Sequence, residues 1–141
     1  MKEKDFQTEF GKRNDIPGIF ELKLAKTKRL PFSALKEHQE KALVHANMGG
    51  GLFHKISDFP VFAGSKMRFN RPKPFDCMFL RNIPAYVVVM FYVKRKQKNV
   101  YYIHIEDFLR MRDESEMKSF TEAMAEDYAE FTADYSKKGQ G

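Results

Sequence analysis

Tryptophan is absent from this 141-residue chain, and cysteine occurs once, at Cys77. A lone thiol excludes an internal disulfide and any zinc centre built on several thiolates. It fits a reducing compartment. Long apolar runs are missing too. The longest, Ile83 to Val93, is far short of the roughly 20 residues a membrane-spanning helix needs. The opening Met1-Lys2-Glu3-Lys4-Asp5 is polar and does not read as a signal peptide. Membrane and secreted classes are therefore not expected, and the expected location is cytoplasmic. No internal repeat or low-complexity linker divides the sequence, so residues 1–141 read as one domain.

What is present argues for a packed core. Hydrophobic residues make up 43% and aromatic residues 14%, with 14 Phe and 6 Tyr, which excludes disorder. The length fits a single domain able to bury a core without staples. Charge is uneven beneath a net of +6. Residues 113–141 hold Asp113, Glu114, Glu116, Glu122, Glu126, Asp127, Glu130 and Asp134 against Lys118, Lys137 and Lys138. The rest of the chain is strongly basic. A basic body with an acidic tail suits a polyanion partner, nucleic acid foremost; a solubilising surface reads the same way.

Periodicity supplies the elements. Residues 2–10 suit a short helix with Phe6 and Phe10 on one face. Asn14 to Gly18 is a turn cluster. From Ile19 to Leu24 the pattern alternates: Phe20, Leu22 and Leu24 point one way, and Ile19, Glu21 and Lys23 the other. Ser33 is the expected N-cap of a helix running to about Met48, ended by Gly49-Gly50-Gly51. Its inner stripe is Leu35, Gln39, Ala42, Leu43 and Ala46. Strands are expected over 52–57 and 75–80, with an irregular basic loop over 60–74 between them. Ala85 to Val93 has the continuous apolar character of a strand covered on both faces. Lys94 to Asn99 turns the chain, and Val100 to Ile105 pairs back. A short helix is expected over 106–112. Ser119-Phe120-Thr121-Glu122 fits a capping box. It opens an expected amphipathic C-terminal helix with Phe120, Met124, Tyr128, Phe131 and Tyr135 on one stripe, within an acidic helical extension over 113–141. The fold class is α/β in the mixed α+β sense: a central mixed sheet flanked by helices.

Three positions carry candidate chemistry. Glu21 and Lys23 share one face of a strand, their Cα atoms roughly 7 Å apart. A carboxylate there can hold a hard divalent cation, and an ammonium can orient water or stabilise charge on phosphorus. In isolation the pair is equally an ordinary surface ion pair, as the second copy, Glu116-Met117-Lys118, is expected to be. Asp76, at the start of an apolar strand after Pro74-Phe75, is either a loop cap or a second metal ligand. Gln39 places an amide on an inner helical stripe, where its hydrogen bonds must be met. It is either a satisfied core glutamine or a group aimed at a phosphate or a catalytic side chain near Glu21 and Lys23. His38, His45, His54 and His104 lack metal-ligand spacing. The triple glycine lacks the lysine and Ser/Thr of a phosphate-binding loop. Cys77 reads as packing.

Taken together, Phe20-Glu21-Leu22-Lys23-Leu24-Ala25-Lys26-Thr27-Lys28-Arg29-Leu30-Pro31-Phe32 followed by His38-Gln39 resembles the PD-(D/E)xK nuclease superfamily. Within it, the stretch is most similar to Holliday-junction resolvases of the RecU and archaeal (Hjc-like) types. The runs AYVVVMFYV and VYYIHIEDFL are similar to the strands that follow the signature helix there. Glu3-Lys4-Asp5-Phe6-Gln7 resembles the first-helix Glu-x-x-x-Gln of related nucleases. One departure stands out. The family's aspartate strand precedes Glu-x-Lys, whereas here His54 to Asp58 and Pro74-Phe75-Asp76 follow the helix. The resemblance then implies a permuted order, with Asp76 beside Glu21 in space and Asp15 as the fallback ligand.

The resemblance further implies a restriction-endonuclease-like core and a Mg²⁺-dependent, structure-selective DNA endonuclease cutting four-way junctions, with Mn²⁺ as a substitute ion. Glu21, Asp76 and the carbonyl of Leu22 would hold the ion, Lys23 would act on water or the transition state, and Gln39 would support the site. Glu3, Glu9 and His38 would be accessory. Lys26, Lys28, Arg29, Lys66, Arg68, Arg71 and Lys73 would track the DNA backbone without reading sequence. Such enzymes resemble two-fold dimers. The rival expectations are a related nickase with another DNA substrate, a non-catalytic nucleic-acid-binding module, and an interaction protein whose acidic tail engages a basic partner.

Overall fold

A computed structural model describes residues 1–47, 52–55, 77–80 and 82–136, the two short middle segments as strand backbone. In chain order the elements are α1 (Glu3–Arg13), β1 (Ile19–Ala25), β2 (Arg29–Pro31), a 3₁₀ turn (Phe32–Ala34), α2 (Glu37–Asn47), β3 (Leu52–Lys55), β4 (Cys77–Leu80), β5 (Ala85–Phe91), β6 (Asn99–His104), α3 (Ile105–Glu114), β7 (Ser119–Thr121), α4 (Glu122–Tyr128) and β8 (Phe131–Asp134). A four-stranded mixed sheet in the order β1-β5-β6-β8 forms the centre. β1 runs parallel to β5, and the other two pairings are antiparallel. Two small antiparallel pairs, β2 with β7 and β3 with β4, complete the described strands.

The sheet is covered on both sides, which is why β5 is buried along its whole length. One layer is α1. Its Phe6 and Phe10 pack with Tyr86, Val88, Met90 and Tyr102, and Phe20, Leu22 and Leu24 of β1 lie against the same cluster. The other layer is α2, α3 and α4. Leu43, Phe108, Met111 and Ala125 meet Val87, Val89 and Phe91 there. Phe120 of β7 is wholly buried, its ring 5.2 Å from that of Phe32, 5.8 Å from Phe108 and 6.1 Å from Phe91. The mixed sheet flanked by helices agrees with the fold class expected from the pattern.

Two expectations are corrected. Ser33 does not cap α2: it lies in the 3₁₀ turn, whose C-cap Leu35 is extended at φ −79°, ψ 110°. The helix starts afresh at Glu37, where the side chain of Gln39 accepts from the backbone N–H of Lys36 at 2.9 Å. That is the returning half of a capping box, with Gln39 at the third helical position.

The second correction concerns the tail, which is not a single amphipathic helix. Ser119 and Phe120 form strand with β2, and Thr121 is the true N-cap, accepting from the N–H of Met124. The helix ends at Tyr128, after which Phe131–Asp134 pair with β6. The three- and four-residue spacing of apolar side chains suited a helix, but long-range strand pairing satisfies more backbone groups at the sheet margin. Glu116 and Lys118 lie exposed in the turn after α3 rather than in a helix. Among the described residues, no helix is long and apolar enough to cross a membrane.

Candidate active site

β1 begins where Gly18, at φ +155°, lets the chain pass the carbonyl of Pro84; a Cβ there would stand 2.7 Å from that oxygen. The N–H of Ile19 then bonds the same carbonyl at 2.9 Å, fixing β1 beside β5. Alternation does the rest: with Phe20, Leu22 and Leu24 turned into the α1 layer, Glu21 and Lys23 emerge on the face that α2 covers.

There the sequence-distant Gln39 meets them. The Lys23 ammonium lies 3.0 Å from Gln39 Oε1 and 3.4 Å from Glu21 Oε1. The Lys23 side chain is only 13% exposed and that of Glu21 29%. A nearly dry ammonium is costly unless its donors are satisfied, and here two oxygens hold it in one place. Gln39 Oε1 receives both Lys23 Nζ and the Lys36 N–H. Two donors converging on one atom require the oxygen there, so the chemistry fixes the amide's orientation. Its NH₂ group is left as a donor pair with no hydrogen-bond acceptor among the described residues.

α2 is itself pinned to α3 at both ends, a feature with no signal in residue spacing. Near its start, Arg112 Nη1 and Nη2 fork onto Glu40 Oε2 and Oε1 at 2.9 Å and 3.1 Å. The carboxylate raises the guanidinium's proton affinity above its ordinary value against the opposing effect of burial. Near its end, Asn47 Oδ1 lies 3.0 Å from His104 Nε2. The other ring nitrogen of His104 accepts from the N–H of Glu106 and caps α3, so Nε2 carries the proton donated to Asn47. Neighbouring Gln39 in sequence, Glu40 thus braces the residue that positions Lys23.

The other candidates fall as follows. Lys26 and Lys28 are exposed in the loop after β1. Arg29 is engaged within the fold: Nε donates to Ser119 Oγ at 2.7 Å and Nη2 to its carbonyl at 2.9 Å, tying β2 to β7. Glu9 pairs with Arg13 at 3.0 Å, and Glu3 is exposed at the start of α1. Both belong to the helix on the opposite face of the sheet from Glu21, and no polar contact joins either to it among the described residues. His38 is exposed on α2. Asp76, Lys66, Arg68, Arg71 and Lys73 lie outside the described residues.

A hard divalent cation is held in proteins by one or two carboxylates together with substrate phosphate oxygens. Glu21 supplies one such carboxylate, partly exposed and next to a fixed cation. Among the described residues, no group of three or more His, Cys, Asp or Glu side chains converges. Glu21 therefore fits one side of a metal site whose second carboxylate would have to come from elsewhere in the chain. No known family model, curated protein or solved structure matches this chain.

Proposed function

We propose that the protein is a Mg²⁺-dependent endonuclease of the PD-(D/E)xK kind that cuts branched DNA, four-way junctions foremost. The observation that carries this reading is the meeting of Lys23 with Gln39 and Glu21 on the α2 face of β1. The contact satisfies a mostly buried ammonium, and it also fixes that ammonium beside a partly exposed carboxylate, as a site acting on a phosphodiester would need. Glu21, with Asp76 and the carbonyl of Leu22, would hold the ion, which when bound polarises the phosphodiester and acidifies water. Lys23, held by two oxygens, would supply its remaining donor to a non-bridging phosphate oxygen or the attacking water. Such preorganised donors act where charge develops in the transition state. The NH₂ of Gln39, without an acceptor among the described residues, donates to the same phosphate. Lys26 and Lys28 hold the neighbouring backbone, and a two-fold dimer would present two such sites to the two equivalent strands of a junction.

The test is cleavage of a synthetic four-way junction and a linear duplex, with Mg²⁺ and with EDTA, by wild type and Lys23→Ala. The expected result is Mg²⁺-dependent cutting of the junction, lost in the variant while binding persists. Equal cutting by Lys23→Ala would refute the assignment. The exposed lysines of the loop after β1 suit a second reading too, a nucleic-acid-binding domain without catalysis; binding with no cutting by wild type would select it.

A further inference from the structure

We infer that the β5–β6 hairpin, Lys94 to Lys98, joins Lys26 and Lys28 in one continuous rim that grips the phosphate backbone of a DNA duplex. The inference rests on the nuclease reading for its choice of partner, but its geometry is independent of the catalytic residues.

Because β1 and β5 are parallel, both end at the same margin of the sheet, and the Tyr92 N–H bonds the Ala25 carbonyl at 2.7 Å. The loop after β1 and the hairpin after β5 therefore leave side by side. Lys26, Tyr92, Val93 and Lys94 line one open cleft of about 290 Å³ with no carboxylate among its described lining residues. The hairpin is held rigidly. Lys96 N–H bonds the Val93 carbonyl at 3.1 Å, and Arg95 sits at φ +66°, a turn of type II. Gln97 Nε2 donates to Asp134 at 3.0 Å, and the Tyr135 N–H bonds the Lys98 carbonyl at 2.8 Å.

Lys94, Arg95 and Lys96 stand exposed on this fixed turn, as do Lys26 and Lys28 on the neighbouring loop. None of the five makes an ion pair among the described residues. The carboxylate of Asp134 borders the hairpin, accepting from Gln97 Nε2 at 3.0 Å and from the Ser136 N–H, and Asp5 and Glu9 line an adjoining cleft with Lys98. Five exposed cations without an ion pair among the described residues, on two adjacent loops, suit a polyanion. Lys23, two residues before Ala25 on the same strand, places the candidate site next to that rim. A duplex lying on the rim delivers its backbone toward Lys23, which neither a lipid surface nor an acidic peptide would explain.

The experiment measures binding of a labelled four-way junction and a linear duplex in EDTA across a salt series. The proteins are wild type, Lys94→Ala/Arg95→Asn/Lys96→Ala, Lys26→Ala/Lys28→Ala, and Lys41→Ala as control. Asn is chosen at 95 because it tolerates a positive φ. Lys41 is exposed and paired with Glu37, away from the rim. Circular dichroism checks that each variant is folded. Three phosphate contacts contribute a log–log salt slope of about −2.7, so between 50 and 200 mM salt wild type should lose about 40-fold more affinity than the triple variant. The double variant should weaken binding in the same sense, and Lys41→Ala should not. Equal slopes for wild type and the triple variant would overturn the inference. So would absence of binding by wild type, a preference for RNA duplex, or loss confined to anionic vesicles. Loss of binding in the triple variant, with no cutting by wild type in Mg²⁺, would leave the rim standing and remove the nuclease reading. A triple variant that binds and cuts like wild type, beside an inactive Lys23→Ala, would do the reverse.

Discussion

Replacing Gln39 in two ways should separate its structural work from its chemical work. Gln39→Leu removes the acceptor of two donors. The Lys23 bond involves an ammonium with little access to water, and hydrogen bonds to charged groups contribute about 1.5–3 kcal/mol. Glu21 remains at 3.4 Å, so the lower end applies. The Lys36 N–H is exposed and adds about 0.5 kcal/mol as half a capping box. The sum is about 2 kcal/mol, or about 6 °C in melting temperature for a domain of this size. Gln39→Glu keeps an acceptor for both donors and puts a negative charge at the positive end of α2, worth about 0.5 kcal/mol in favour. It should melt at or above wild type. Yet it replaces the amide NH₂ donor with a carboxylate that repels phosphate, and junction cutting should fall about 100-fold. Scanning calorimetry and single-turnover cleavage give both numbers. A Gln39→Leu protein that melts with wild type would refute the contact. A Gln39→Glu protein that cuts with wild type would refute the role of the amide.

Arg112→Ala should destabilise by about 1 kcal/mol in urea unfolding, because the pair is partly exposed yet forked, and Arg112→Lys should recover little since it loses the fork. Gly18→Ala, with its Cβ directed at the Pro84 carbonyl, should lower stability by about 2 kcal/mol and be read from the same curves. Tyr101 and Tyr102 both hold their protons more tightly than an ordinary tyrosine, through burial first and then through Glu122 and Tyr135 respectively. The unfolded chain ionises first. Their stabilisation is therefore intact below about pH 10 and is lost as pH rises further, by up to about 1.4 kcal/mol per tyrosine per pH unit. Tyrosinate absorbance rising in step with unfolding, and not before it, is the expected signature.

The parts of the fold legible in the sequence are those set by neighbours along the chain. Alternation at 19–24 gave both the strand and its faces, and the run from Ala85 gave the doubly covered strand. The amide at Gln39 stood out because its stripe was otherwise apolar, and the structure brings it to Lys23. What local pattern misses is pairing over distance. β7 meets β2 across about 90 residues of chain, and β8 finds β6 only because the sheet margin there needs a partner. Phe120, Phe131 and Tyr135 keep a helical three- and four-residue rhythm with Met124 and Tyr128. Only the α4 portion uses it, and Phe120 and Tyr135 end in opposite layers of the molecule. The expected second carboxylate, Asp76, falls outside the described residues.

Placement of charge matters more than its total. Four of the eight acids of residues 113–136 sit against hydroxyl or amide groups of the fold. Glu122 accepts from the Tyr101 hydroxyl, Glu114 from Tyr128, and Asp134 from Gln97 and the Ser136 N–H. Glu130 sits beside the hydroxyl of Tyr86 and raises its proton affinity, after burial. The lysines of the β1–β2 loop and the hairpin are left open instead. At ordinary salt the field of an exposed carboxylate is screened beyond about 10 Å. Asp134 reaches the hairpin through Gln97, while Glu114 and Glu122 meet the hydroxyls of Tyr128 and Tyr101. The chain therefore presents a polyanion with its basic end rather than its average. Neutralising the tail should change DNA affinity far less than removing an equal number of lysines from the rim.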